Sequence, residues 1–189
     1  MTNLPTLIES EIDTMVDTVA HWVDHVGAVL TSDAGHLLLR NQIRKMLREG
    51  AIETLKVVTA AEQGHQDADF ALRELGAEML DRGEMPNATL RSYLVKALVT
   101  APVHYPPGRN IADTWVRDIG IAVMVAMVKM HWPYLTVTRN RATKRPSAST
   151  IVALALRKHG HSLTEWQVER VFGNHNKLAG RLSASMGDI

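Results

Sequence analysis

The chain has 189 residues, 46% of them hydrophobic and 22% charged, an ordinary globular balance that can build a core. It contains no cysteine, which excludes disulfides, thiolate catalysis and cysteine-ligated zinc or iron–sulfur centres. The net charge of +1 hides an asymmetry: residues 1–130 hold 12 Lys and Arg against 17 Asp and Glu, whereas residues 131–189 hold 9 against 3.

Aromatics are scarce at 5%, while Ala, Leu, Val and Met are abundant, and that mix favours helix over strand. The opening stretch, MTNLPTLIESEIDTM, carries acids where a secretory signal has a basic segment and an apolar run, so no such signal is expected. Ile8, Ile12, Met15, Val16, Val19, Val23, Val26 and Leu30 recur at steps of three and four, which predicts a helix over 6–30. Thr6 can cap it, with Glu9 as the capping-box partner. TSDAG breaks the pattern, which resumes over 36–48 and stops at Gly50. A short helix over 51–62 follows, then the turn GHQD.

Phe70, Leu72, Leu75, Met79 and Leu80 predict a helix over 67–82, closed by Gly83 just past its end. Asn87 caps the next helix, which runs to Val99. TAPVHYPPGRN, with three prolines and a glycine, is irregular. The helix over 113–131 is apolar on all sides, which places it centrally. Its charge-free run Ile119–Val128 falls well short of the roughly 20 apolar residues of a membrane span. Pro133 stops it, and YLTVT has some strand character without an evident partner. Three short helices are expected at the end, over 148–159, 164–173 and 176–185. The fold class is therefore all-α: a multi-helix bundle with an acidic body over 1–135 and a small basic helical module over 136–189, which can also pack on the body as one domain.

The most basic stretch is TRNRATKRPSAS, where Arg139, Arg141, Lys144 and Arg145 fall together with no carboxylate nearby. Either these cations hold phosphates or they form a solvated linker. Behind them, Ser147 or Ser149 can cap a helix bearing Ile151, Val152, Leu154 and Leu156, with Gly160 as the stop. Leu163 lies inside the turn, and Val168, Val171 and Phe172 give the next helix an apolar face. This is the pattern of a helix-turn-helix, and equally of an ordinary pair of packed helices. On the DNA reading, Gln167, Arg170 and Asn174 face bases, while Lys177 and Arg181 extend the phosphate track. The same helix also carries Glu165 and Glu169, which oppose phosphate.

Leu156, Gly160, Leu163 and Val168 resemble, in identity and spacing, the long-turn helix-turn-helix of the enhancer-dependent bacterial sigma factor, over about 25 residues. RDIGIAVMVAMV, TRNRATKRPSAS and the helix pair after them are similar to uncharacterised helical proteins of bacterial genomes and mobile elements. The first resemblance implies contact with DNA; the second implies no activity.

HWVDH sets His21 and His25 one turn apart, a spacing compatible with zinc, with His36 as a candidate third ligand. Trp22 stands where a zinc protease has its general base, so a polar face whose histidines meet carboxylates is the better reading. His104, Tyr105 and Arg109 lie in the proline loop, which reads first as a structural turn. Met124, Met127 and Met130 can line an adaptable groove or simply fill the core. Neither a phosphate-binding glycine loop nor a nucleophile elbow occurs, which favours a non-enzymatic protein without cofactor. The expectation is a cytoplasmic DNA-binding regulator or mobile-element accessory factor, without membrane contact and plausibly homodimeric. The alternative is a helical adaptor or inhibitor that meets a protein partner.

Overall fold

The computed structural model of the protein describes residues 9–49, 51–99, 111–139 and 145–186, with 51, 52 and 111–113 described by backbone alone. Among these residues the chain is all-α. Its helices are α1 (Glu9–Thr31), α2 (Asp33–Glu49), α3 (Ala51–Glu62), α4 (Gln66–Asp81), α5 (Ala88–Val99), α6 (Ile111–His131), α7 (Ala148–Lys158) and α8 (Glu165–Met186). No strand occurs among the described residues. Thr6, Gly50 and the proline loop with His104, Tyr105 and Arg109 lie outside them.

Local chemistry explains the helix ends. Three glycines, Gly64, Gly83 and Gly160, have positive φ of 98°, 69° and 80°. Each follows a helix in the same way. At α7 the Gly160 N–H donates to Arg157 O at 3.0 Å and the His161 N–H to Leu156 O at 3.0 Å, the paired bonds of a Schellman ending. The same pair closes α4, from Gly83 to Leu80 O and from Glu84 to Met79 O. Starts are capped by side chains. Asn87 Oδ1 accepts from the Leu90 N–H at 2.9 Å, Ser32 Oγ from Gly35 at 3.0 Å, and Ser147 Oγ from Thr150 at 3.1 Å. Ser32 alone separates α1 from α2, so the expected break at TSDAG shrinks to a single capping residue.

Two expectations are corrected. The end of the chain forms one helix, α8, of 22 residues where two were expected. Gly173, Asn174 and Asn176 read as a break, but Val168, Val171, Leu178, Leu182 and Met186 are all buried along one continuous stripe. Burying one such side chain contributes about 1.5–3 kcal/mol, more than the roughly 1 kcal/mol that a glycine costs inside a helix. YLTVT forms no strand. Its Leu135 is buried, and its carbonyls accept from α7: Ala148 N–H donates to Thr136 O at 2.8 Å and Ser149 N–H to Val137 O at 3.4 Å. The segment thus satisfies N–H groups that a helix start leaves without intrahelical partners.

The chain divides into two compact units, Met1–Val29 with Asp118–Ile189, and Leu30–Arg117. The boundary expected between residues 135 and 136 lies inside the first. There, α7 and α8 pack on each other. Residues 119–128 of α6 are buried except for half-buried Met127, as their apolar run predicts, whereas Met130 is exposed. No helix among the described residues is long and apolar enough to cross a membrane.

In the second unit α4 packs against α2, α3 and α5. A ladder of charges links α2 to α4. Arg40 Nε meets Asp67 at 2.7 Å, Arg44 meets Glu74 at 3.3 Å, and Arg48 meets Glu78. The partners advance together, so the two helices run parallel. Arg48 holds the Glu78 carboxyl below the usual carboxylate range.

Candidate nucleic-acid interface

The expected site residues lie on two elements of the first unit. Arg139 is exposed at the end of the stretch after α6, and Arg145 is half-buried just before α7. Arg141 and Lys144 lie outside the described residues. Gln167, Arg170, Asn174 and Lys177 are on α8, which therefore carries half of the expected set.

The wheel of α8 sorts these side chains. Its buried stripe, Val168, Val171, Leu178 and Leu182, fixes the opposite face toward solvent. Trp166, Arg170, Gly173, Asn174 and Lys177 are exposed on that outer face, with half-buried Arg181 one turn further. Arg170 reaches back one turn, its guanidinium carbon 5.0 Å from the Trp166 ring centroid.

The two acids of this helix point elsewhere. Glu165 Oε1 accepts from Ser147 Oγ at 2.9 Å and from Thr150 Oγ1 at 2.7 Å, which ties the start of α8 to the cap of α7. Glu169 Oε1 accepts from the Arg139 N–H at 3.2 Å. Both carboxylates are engaged within the protein rather than placed among the cations of the outer face. Gln167 is also engaged. Its Oε1 accepts from the Thr164 N–H at 2.8 Å and from Thr164 Oγ1 at 2.9 Å, while the Gln167 N–H donates back to Thr164 Oγ1 at 3.3 Å. This is a capping box at the start of α8, which the triplet spacing of Thr164 and Gln167 could have revealed.

Other basic groups of the tail serve the protein itself. Lys158 Nζ meets Asp17 Oδ1 at 2.5 Å and His159 Nδ1 lies 3.5 Å from Asp24 Oδ1, both on α1. These are the carboxylates expected to face His21 and His25. Those two histidines are exposed on α1, and among the described residues no group of three or more His, Asp and Glu could hold a metal ion. Trp22 instead lies 5.9 Å from the rings of both His131 and Trp132.

The second unit holds a polar cluster that periodicity does not reveal. Asp67, 3% exposed in the first turn of α4, accepts from His36 Nδ1 at 2.6 Å and from Arg40 Nε at 2.7 Å. His65, equally buried, caps α4 by accepting from the Ala68 N–H at 3.1 Å through Nδ1, which puts its own proton on Nε2. Its ring centroid is 4.0 Å from that of Trp115. Burial lowers its pKa to about 4, against the opposing pull of Asp67. His36, the candidate third zinc ligand, has its Nδ1 committed to Asp67.

Comparison with family models, with curated proteins and with solved structures finds no match to this chain.

Proposed function

We propose that this chain binds double-stranded DNA as a cytoplasmic regulatory or mobile-element accessory protein. In this reading a helical bundle carries a basic C-terminal helix-turn-helix-like module and acts as a homodimer. The observation that carries it is the segregation of charge on α8. Arg170, Asn174 and Lys177 share the exposed face, while Glu165 and Glu169 are bonded to Ser147, Thr150 and the Arg139 backbone. Arg170 and Asn174 have the donor geometry for base edges, and Arg139 and Lys177 supply charge for phosphates. Gln167, held by the Thr164 cap, is not needed for base contact.

Binding to a random-sequence duplex, measured across a salt series, tests the proposal. The expected result is a linear fall of log affinity with log salt. Replacing Arg139, Arg170 and Lys177 together by Ala should flatten the slope by roughly 2.7, from about 0.9 per phosphate contact. Salt-independent affinity, or a triple variant that binds like the wild type, overturns it.

A protein-adaptor reading draws on a different surface. In the second unit Leu55, Val95, Leu98 and Val99 are exposed, Leu98 at 84%. Large exposed apolar residues mark contact sites when they are contiguous. A partner captured after nuclease treatment, and lost on Leu98→Asp, would favour this reading.

A further inference from the structure

We infer that the outer face of α8 holds an unpaired nucleic-acid base, stacked on Trp166. The inference rests on the nucleic-acid reading above and specifies its ligand. Trp166 stands apart from the other apolar residues of α8: Val168 and Leu182 are fully buried and Val171 nearly so, whereas Trp166 is 63% exposed. An indole face open to water is a surface on which any base can stack.

Three neighbours fit that role. Arg170 lies over the Trp166 ring at 5.0 Å, so a planar cation already borders the aromatic face and can stack or pair with phosphate as a base arrives. Gly173 follows on the same stripe, and a Cβ built there would meet nothing within 4 Å, which leaves room for a sugar or phosphate beside the helix. Asn174 and Lys177 continue the exposed face, an amide for base edges and a cation for the backbone. The acids at 165 and 169 are bonded elsewhere in the protein. An aromatic set among cations and cleared of carboxylates has the charge and shape of a single-strand platform. Deoxyribose and ribose strands share the required chemistry, a planar base on an anionic backbone.

The experiment uses the full chain and four oligonucleotides: a blunt DNA duplex, the same duplex with a short DNA overhang, the same with an RNA overhang, and the single strand alone. Intrinsic tryptophan fluorescence and fluorescence anisotropy are read together. Both overhangs should bind roughly five- to 100-fold more tightly than the blunt duplex, the equilibrium equivalent of stacking one base. A difference between the two overhangs would tell which sugar is preferred. Trp166→Ala should bring overhang affinity down to the blunt level, leave blunt affinity and the thermal midpoint unchanged, and abolish the fluorescence quench. Trp166→Phe should retain most of the preference. Equal wild-type affinity for blunt and overhanging duplexes overturns the stacking role while leaving duplex binding intact, and would turn attention to a protein ligand for Trp166. No binding to any of the four overturns both proposals.

Discussion

Helices α2 and α8 both carry rows of basic residues, and they use them in opposite ways. On α2 the arginines at 40, 44 and 48 meet Asp67, Glu74 and Glu78 of α4, so the charges join two helices of one unit. On α8 the carboxylates are drawn into bonds within the protein while Arg170 and Lys177 remain on the exposed face. A count of charges along the chain cannot separate these cases. What separates them is whether the helix facing the cations offers carboxylates at matching steps.

This contrast can be broken deliberately. Asp67→Ala should have the largest effect, because it removes a buried carboxylate that receives both His36 and Arg40. Those partners are partly exposed and can rehydrate, so the loss sits at the lower end for a broken buried pair, about 3 kcal/mol, read as a shifted urea midpoint. The same cluster should confer acid sensitivity. His65 titrates near 4 in the folded chain because burial disfavours its charged form, against 6.5 when exposed. Between those values the unfolded chain binds the extra proton. Stability is therefore intact above pH 6.5 and falls as pH drops toward 4, by on the order of 3 kcal/mol. His65→Asn, which can still cap α4, should flatten that dependence in denaturant titrations at successive pH values.

The start of the α8 region offers a smaller test. Gly160→Ala forces a side chain into the left-handed conformation at φ 80° and should cost about 1–2 kcal/mol, seen as a lower thermal midpoint. Smallest of all should be Arg170→Ala, within about 0.5 kcal/mol of wild type, because an exposed cation contributes little to folding. If Arg170→Ala were as costly as Asp67→Ala, the outer face of α8 would be structural and the contrast with α2 would collapse.

Much of the helical layout was legible without coordinates. Asn87 and Ser147 cap where their spacing implies, and Gly83 and Gly160 terminate helices because a residue without Cβ tolerates positive φ. The burial of Ile119–Val128 follows from its lack of any polar face. The candidate interface was only partly legible. Arg170, Asn174 and Lys177 do share an exposed face, but Gln167 is occupied by a cap. Trp166 escaped notice because a lone aromatic beside an apolar stripe reads as core. Its place four residues before Arg170, off the period of Val168 and Val171, was the available signal. The unbroken α8 was missed because Gly173 and Asn174 are locally poor helix formers, and propensity weighs less than a stripe that stays buried on both sides of them.

The sequence by itself determined the all-helical class, most helix ends and the apolar stripes, since caps, glycines and periodicity act within a few residues of the backbone they shape. Only the tertiary structure decided which charges are spent inside the protein. Asp67 finds His36 and Arg40 roughly thirty residues away, and Glu165 finds Ser147 and Thr150 across a turn, because packing brought their helices side by side. Coulomb and hydrogen-bond energies depend on distances of a few ångströms, and the order of residues along a chain does not fix those distances.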